Sequence, residues 1–136
     1  MYPVDLKYLD SHQWLKVEGE VGTIGITDYG QKEMGEILYV ELPRKGERIK
    51  QKETFSTLES VKAAFDVPSP VSGEIVEVNE KLEDDPSLVN RDPYGSGWLV
   101  KVKISDFSEL DSLLTSQQYE NLIKSKGEVS EEKGGG

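Results

Sequence analysis

The sequence predicts a mainly β fold with a few peripheral helices, arranged as a sandwich or flattened barrel, and three observations carry that prediction. Short runs in which apolar and polar residues alternate recur from Trp14 to Ile104, the period of strands with one buried face. Glycine and proline turn signals separate these runs, as in sheets built from many short strands. Helical spacing is confined to one short stretch after Ile26 and to the segment beyond Ile104.

In chain order, Trp14-Leu15-Lys16-Val17-Glu18 and Val21-Gly22-Thr23-Ile24-Gly25-Ile26 flank Gly19-Glu20 and read as a β-hairpin. Thr27-Asp28 have helix-start chemistry, residues 29–34 make a short helix, and Gly35 stops it. Residues 36–42 are a strand ended by Pro43, and 44–47 are a polar turn. Residues 54–59 alternate again. Val67-Pro68-Ser69-Pro70-Val71 is extended because each proline disfavours helix at the residue before it, so Lys62, in the break at 60–63, falls at or near a hairpin tip. Residues 73–78 and 98–104 are two more strands, joined by a long polar loop holding Pro86, Pro93, Gly95 and Gly97. Beyond them, Ser108-Glu109-Leu110-Asp111 resembles a capping box, with Leu110, Leu113 and Leu114 on one helical face. Ser116 is expected to cap a second helix with the stripe Tyr119, Leu122 and Ile123, Lys124 and Lys126 in its last turn and Gly127 as C-cap. Residues 1–127 are expected to form one domain, and 128–136, charged and ending in three glycines, a disordered tail.

Composition narrows the function. A formal net charge of −10 argues against nucleic acid or an anionic membrane as partner, since phosphate contacts need excess Lys and Arg. No run approaches the roughly 18 apolar residues of a membrane span, and Met1 is not followed by a basic region leading into an apolar one, so the expectation is a soluble cytoplasmic protein, and a monomer. With no cysteine there is no disulfide, thiolate metal site or cysteine nucleophile. The single histidine, His12, lies in no zinc-protease or serine-hydrolase motif and is read as structural beside Trp14. Tyr94 and Trp98 are read as loop and core anchors.

Lys62 differs from the other lysines in its neighbours. It stands in Glu59-Ser60-Val61-Lys62-Ala63-Ala64, with small or apolar residues on both sides. From spacing alone it is an exposed turn lysine; the small neighbours also leave room for a modifying enzyme, and an amide on its ε-nitrogen would remove the charge and keep the flexible stem.

Several segments then agree with one family. Glu59-Ser60-Val61-Lys62-Ala63 resembles the lipoylation motif of glycine cleavage H proteins, and Ser11-His12-Gln13-Trp14 resembles that family's His-Glu-Trp start. Gly25-Ile26-Thr27-Asp28, Val40-Glu41-Leu42-Pro43, Ser69-Pro70-Val71-Ser72-Gly73-Glu74-Ile75, Leu88-Val89-Asn90 and Asp92-Pro93-Tyr94-Gly95-Ser96-Gly97-Trp98 match further family segments in order, over about residues 5–125. Biotin carriers typically set their lysine between methionines, and lipoyl domains of 2-oxoacid dehydrogenases more often place Asp before it; here the neighbours are Val61 and Ala63.

The resemblance implies a lipoyl/biotinyl-type hybrid barrel and a non-enzymatic carrier with lipoate in amide linkage to Lys62. It implies that the arm takes an aminomethyl group from the pyridoxal-phosphate enzyme glycine decarboxylase and delivers it to tetrahydrofolate on aminomethyltransferase. Dihydrolipoamide dehydrogenase, a flavin (FAD) enzyme, then reoxidises the arm, and a lipoylating enzyme installs it. It also implies a surface cleft that shields the loaded arm, for which Gln13, Tyr29 and Asp66 are candidates. Gln13 replaces the family's Glu and Tyr29 a frequent His, whereas Asp66 keeps the acidic residue. Three other readings stay open: relay of lipoyl groups to other lipoyl proteins, an unmodified interaction module with the carrier fold, and an enzyme with a carboxylate-based site.

Overall fold

The computed structural model describes residues 2–128; of the expected tail, residues 129–136 lie outside the described residues. Two antiparallel sheets enclose the core. The larger runs in the order β1 (Lys7–Tyr8), β2 (Gln13–Glu18), β3 (Val21–Ile26), β9 (Val100–Ile104), β8 (Gly73–Val78), β5 (Arg48–Ile49), and the smaller, three-stranded one in the order β4 (Ile37–Glu41), β6 (Thr54–Ser60), β7 (Ala64–Pro68).

The first hairpin forms as its alternation requires: β2 (Gln13–Glu18) turns at Gly19, whose φ of 65° suits glycine, into β3 (Val21–Ile26). Trp14 faces Gly25 across it, and the indole lies where a Cβ at Gly25 would stand. The indole N–H donates to the Ile26 and Pro93 carbonyls, which satisfies a donor buried with its ring. Strand β1 (Lys7–Tyr8) flanks β2, and β9 (Val100–Ile104) continues the sheet beyond β3 to β8 (Gly73–Val78) and β5 (Arg48–Ile49).

Helix α1 (Asp28–Met34) starts where the sequence places it. The Thr27 hydroxyl accepts the Gly30 N–H, and Gly35, at φ 84°, closes the helix with its own N–H on the Gln31 carbonyl. The chain then enters the small sheet: β4 (Ile37–Glu41), β6 (Thr54–Ser60) and β7 (Ala64–Pro68). Inward side chains of both sheets, among them Leu15, Ile24, Ile75 and Val102 from one and Val40, Leu58 and Val67 from the other, belong to one buried cluster. Each such aliphatic side chain contributes roughly 1.5–3 kcal/mol on burial. The mainly β sandwich with peripheral helices is therefore present.

Several local expectations are corrected. The segment after β9 is a 3-10 turn (Phe107–Ser112), not an α-helix. Its cap is Asp106, whose carboxylate accepts the Ser108 N–H, whereas the Glu109 carboxylate accepts the Ser72 N–H and hydroxyl. Helix α4 (Ser116–Ile123) is capped by Thr115, not Ser116, because Gln118 sits three residues on and completes a capping box. A π turn (Lys124–Glu128) follows, so Gly127 lies inside it and is not the C-cap. The long polar loop carries two one-turn helices, α2 (Lys81–Asp84) and α3 (Leu88–Arg91), whose single buried residues, Leu82 and Val89, are too few to give a period.

Candidate functional site

Lys62 sits at the tip of the β6–β7 hairpin. Glu59 pairs with Ala64, and the Ser60 N–H donates to the Ala63 carbonyl at 2.8 Å, which closes the turn around Val61 and Lys62. Neither tip residue has a positive φ. The Ser60 hydroxyl supplies the missing order: it accepts the Lys62 N–H at 3.0 Å and the Ala63 N–H at 3.3 Å, an ST-turn that ties the backbone down where no ladder bond reaches. The Val61 N–H donates to the Glu36 carbonyl, so the tip is also fixed to the start of β4.

The Lys62 side chain is exposed and takes part in none of the ion pairs found among the described residues. Its stem passes over Gly35: a Cβ there would touch the Lys62 Cε at 3.4 Å. Gly35 borders a surface depression of about 430 Å³, lined also by Gln31, Lys32, Glu36, Asn90 and Arg91. One side chain organises this wall. Asn90 donates to the Gly35 carbonyl and to the Gln31 side-chain carbonyl, and accepts the Ile37 N–H. Gln31 donates in turn to Asp28. Burial pushes the Asp28 carboxyl up, but hydrogen bonds from Gln31 and Lys32 outweigh it and hold the group below the usual carboxylate range. Asn90 lay in the sequence only as part of a loop motif, and nothing in its neighbours signals a strap between α3, α1 and β4.

The three candidate arm-cleft residues sit on three different elements. Gln13, first in β2, is 1% exposed, and its amide is bonded to Ser11 through both the Ser11 hydroxyl and carbonyl. Ser11 lines a depression of about 270 Å³ together with Leu9, Asp10, Lys52 and Pro68. Tyr29, in the first turn of α1, is half-buried with its ring 4.8 Å from that of His12. Asp66, on β7, is exposed and pairs with Thr57, two residues before the Pro68 of that depression.

His12 belongs to a buried hydrogen-bond chain. The Thr27 hydroxyl and the His12 Nδ1 both lie 2.7 Å from the Tyr119 hydroxyl, and an arrangement in which Thr27 donates to Tyr119 and Tyr119 to His12 satisfies all three. Burial, assisted by the charge of Lys126, lowers the His12 pKa from its ordinary value. Tyr94 accepts the Asp28 N–H, its phenol pushed up by burial to about 12. Among the described residues no group of three or more acidic or histidine side chains is placed to hold a metal ion, and no helix is long and apolar enough to cross a membrane.

Residues 6–126 match the family model described as glycine cleavage H-protein. Among curated relatives, the glycine cleavage system H protein of Carboxydothermus hydrogenoformans is 52% identical over 93% of this chain and 97% of its own. That of Alcanivorax borkumensis is 54% identical over 91% and 97%. Among solved structures, a glycine cleavage system H protein from Mycobacterium marinum superposes with a TM-score of 0.78 at 33% identity, over 88% of this chain and 97% of that one. The chain belongs to the glycine cleavage H-protein family, and it is a lipoyl carrier of the glycine cleavage system.

Proposed function

We propose that lipoate is carried in amide linkage on Lys62, and the observation that carries this reading is an exposed lysine, in no ion pair among the described residues, at a hairpin tip held by Ser60. The tip fits the group. A long arm needs an attachment point that is rigid in backbone and open in side chain, and the ST-turn with the Val61 bond to Glu36 supplies the first while exposure supplies the second. Glu59, Ser60, Val61 and Ala63 frame the lysine without a second amine among them, so modification has one target in the turn.

Held on Lys62, the lipoyl group would supply a disulfide that accepts an aminomethyl group from glycine decarboxylase as it is reduced, and that dihydrolipoamide dehydrogenase would restore from the dithiol left after aminomethyltransferase. The chain's own residues position it. Gly35 lies beneath the lysine stem, where a Cβ would come into van der Waals contact with the Lys62 side chain and φ 84° disfavours any residue but glycine. Tethering raises the effective concentration of the arm at any docked active site.

Asp66 is the carboxylate among the three arm-cleft candidates and it is exposed, whereas the Gln13 amide is buried and engaged with Ser11. It is the group suited to accept a hydrogen bond from a cationic aminomethyl amine, and Gln13 and Tyr29 act on shape more than charge. The direct test is intact mass and peptide mapping after incubation of the unmodified protein with lipoate, ATP and a lipoate ligase. One lipoyl group on Lys62 is expected. Lipoate on another lysine, or none, overturns the assignment.

A further inference from the structure

The strand that supports the lysine turn exposes apolar side chains that its fold does not use. In β4 the register slips between Ile37 and Tyr39, so Leu38 is an extra residue and the usual inward–outward alternation fails. Leu38 and Tyr39, consecutive in sequence, are each 54% exposed. Val61, 60% exposed, belongs to the same corner: Ile37 pairs with Ser60, and the Val61 N–H bonds to the Glu36 carbonyl. Single exposed apolar residues are ordinary; two turned out by a bulge next to a third in the lysine turn form a patch suited to a contact surface.

The surroundings of this corner carry one sign of charge. Tyr39 pairs with Glu59 and Glu41 with Thr57, so exposed Glu59 and Glu41 share the outer face of the sheet with Tyr39, and exposed Glu36 precedes the strand. None of the three carboxylates is in an ion pair among the described residues.

Reach decides which partner fits. The unmodified ε-amine stands only one side chain, roughly 6 Å, from its own Cα. An enzyme that acylates it must bring its active site down to the turn and cover the residues beside it. Enzymes acting on the far end of the finished arm work an eight-carbon chain further out and do not need to cover that corner. We propose that Leu38, Tyr39 and Val61 form the docking surface for the enzyme that attaches the lipoyl group to Lys62, with Glu36, Glu41 and Glu59 facing a basic rim on that enzyme. In the step served, the neutral amine attacks the carbonyl of an activated lipoyl group, an acyl adenylate; the C–N bond forms, the bond to the phosphate oxygen breaks, AMP leaves and the amine gives up a proton. This rests on Lys62 being the attachment site.

The experiment compares two reactions on the parent chain and on the Leu38→Ser/Tyr39→Ser double variant, with melting curves as a check of fold. Attachment is followed as initial rate with an ATP-dependent lipoate ligase over a range of unmodified protein. Reoxidation of the reduced, fully loaded protein is followed with dihydrolipoamide dehydrogenase and NAD. The expected result is a KM for attachment raised tenfold or more with kcat within twofold, and reoxidation kcat/KM within twofold of the parent. An unchanged attachment KM overturns the inference, and so does an equal loss in both reactions, which would make the corner a general docking face. A parent chain that accepts no lipoate on Lys62 instead overturns the attachment reading itself.

Discussion

The lysine hairpin and the aromatic cluster around Tyr119 are held by opposite means. At the hairpin, Ser60 and short local bonds fix the backbone, while Val61, Lys62 and Ala63 stay exposed. At the cluster, Tyr8 of β1 and Tyr119 of α4 stack at 4.7 Å with 7° between their planes, Trp14 is 2% exposed, and the His12–Tyr119–Thr27 chain joins the residue before β2 and the N-cap of α1 to α4. One region presents a side chain and stores little stability; the other stores stability and presents nothing. Substitutions in the first should therefore change what the protein carries, and substitutions in the second whether it stays folded.

The largest effect expected is on carriage. Lys62→Arg keeps an exposed cation but offers no amine that forms the amide, so lipoate incorporation should fall to background by intact mass, and the melting temperature should match the parent. A shift of several degrees would mean the tip contributes stability, and the contrast between the regions would fail. The mirror-image experiment is Trp14→Ala. It removes a buried ring and its bonds to Ile26 and Pro93, and should cost about 3–5 kcal/mol in urea unfolding. Lipoylation of the fraction still folded should proceed at the parent rate, because the tip does not depend on that ring.

A smaller effect is expected at Asp66, which belongs to the hairpin but is proposed to act on the loaded arm. Asp66→Asn should release ammonia several-fold faster from isolated aminomethyl-loaded protein in the absence of aminomethyltransferase. Gln13→Ala and Tyr29→Phe should change that rate less. Equal rates for all three and the parent would show that the cleft contacts lie elsewhere.

How much of this was legible in the sequence follows the same division. Strands whose partners are set by alternation and turns were readable: 14–18 with 21–26, 54–59 and 73–78 all fall within or beside observed strands. The lysine tip was readable because proline spacing and a small-residue motif are local. What escaped depends on distant partners. Asn90 acts through Gly35, Gln31 and Ile37, far from it in sequence, and the capping box expected at Ser108 to Asp111 gave way to a cap by Asp106, with Glu109 bonded to the distant Ser72. The bulge at Leu38 had one visible sign, the unbroken apolar run Ile37-Leu38-Tyr39-Val40, in which alternation must fail somewhere.

The smallest expected effect concerns His12 and probes the cluster without removing any atom from it. Burial, with Lys126, lowers the pKa of this imidazole in the folded protein, while Glu33 and Asp10 act weakly in the other direction. In the arrangement where Thr27 donates to Tyr119 and Tyr119 to His12, the Nδ1 at 2.7 Å is an unprotonated acceptor. The unfolded chain therefore takes up a proton before the folded one does as pH falls through the ordinary histidine value of about 6.5. Folded stability should be full above that value and decline below it, levelling only once the folded imidazole is also protonated. The slope for a single proton cannot exceed about 1.4 kcal/mol per pH unit. Asp28, whose pKa is lowered, contributes in the same direction only at more acid pH, below the ordinary carboxylate range, so the two windows separate. Urea midpoints between pH 8 and pH 5 measure the decline. His12→Asn is the control, since asparagine tolerates the φ of 80° found at this position and does not titrate; it should flatten the curve in that window. If the parent and His12→Asn fall together, the imidazole is not what destabilises the cluster in mild acid. The lipoylation rate at the hairpin should be indifferent to the substitution in either case.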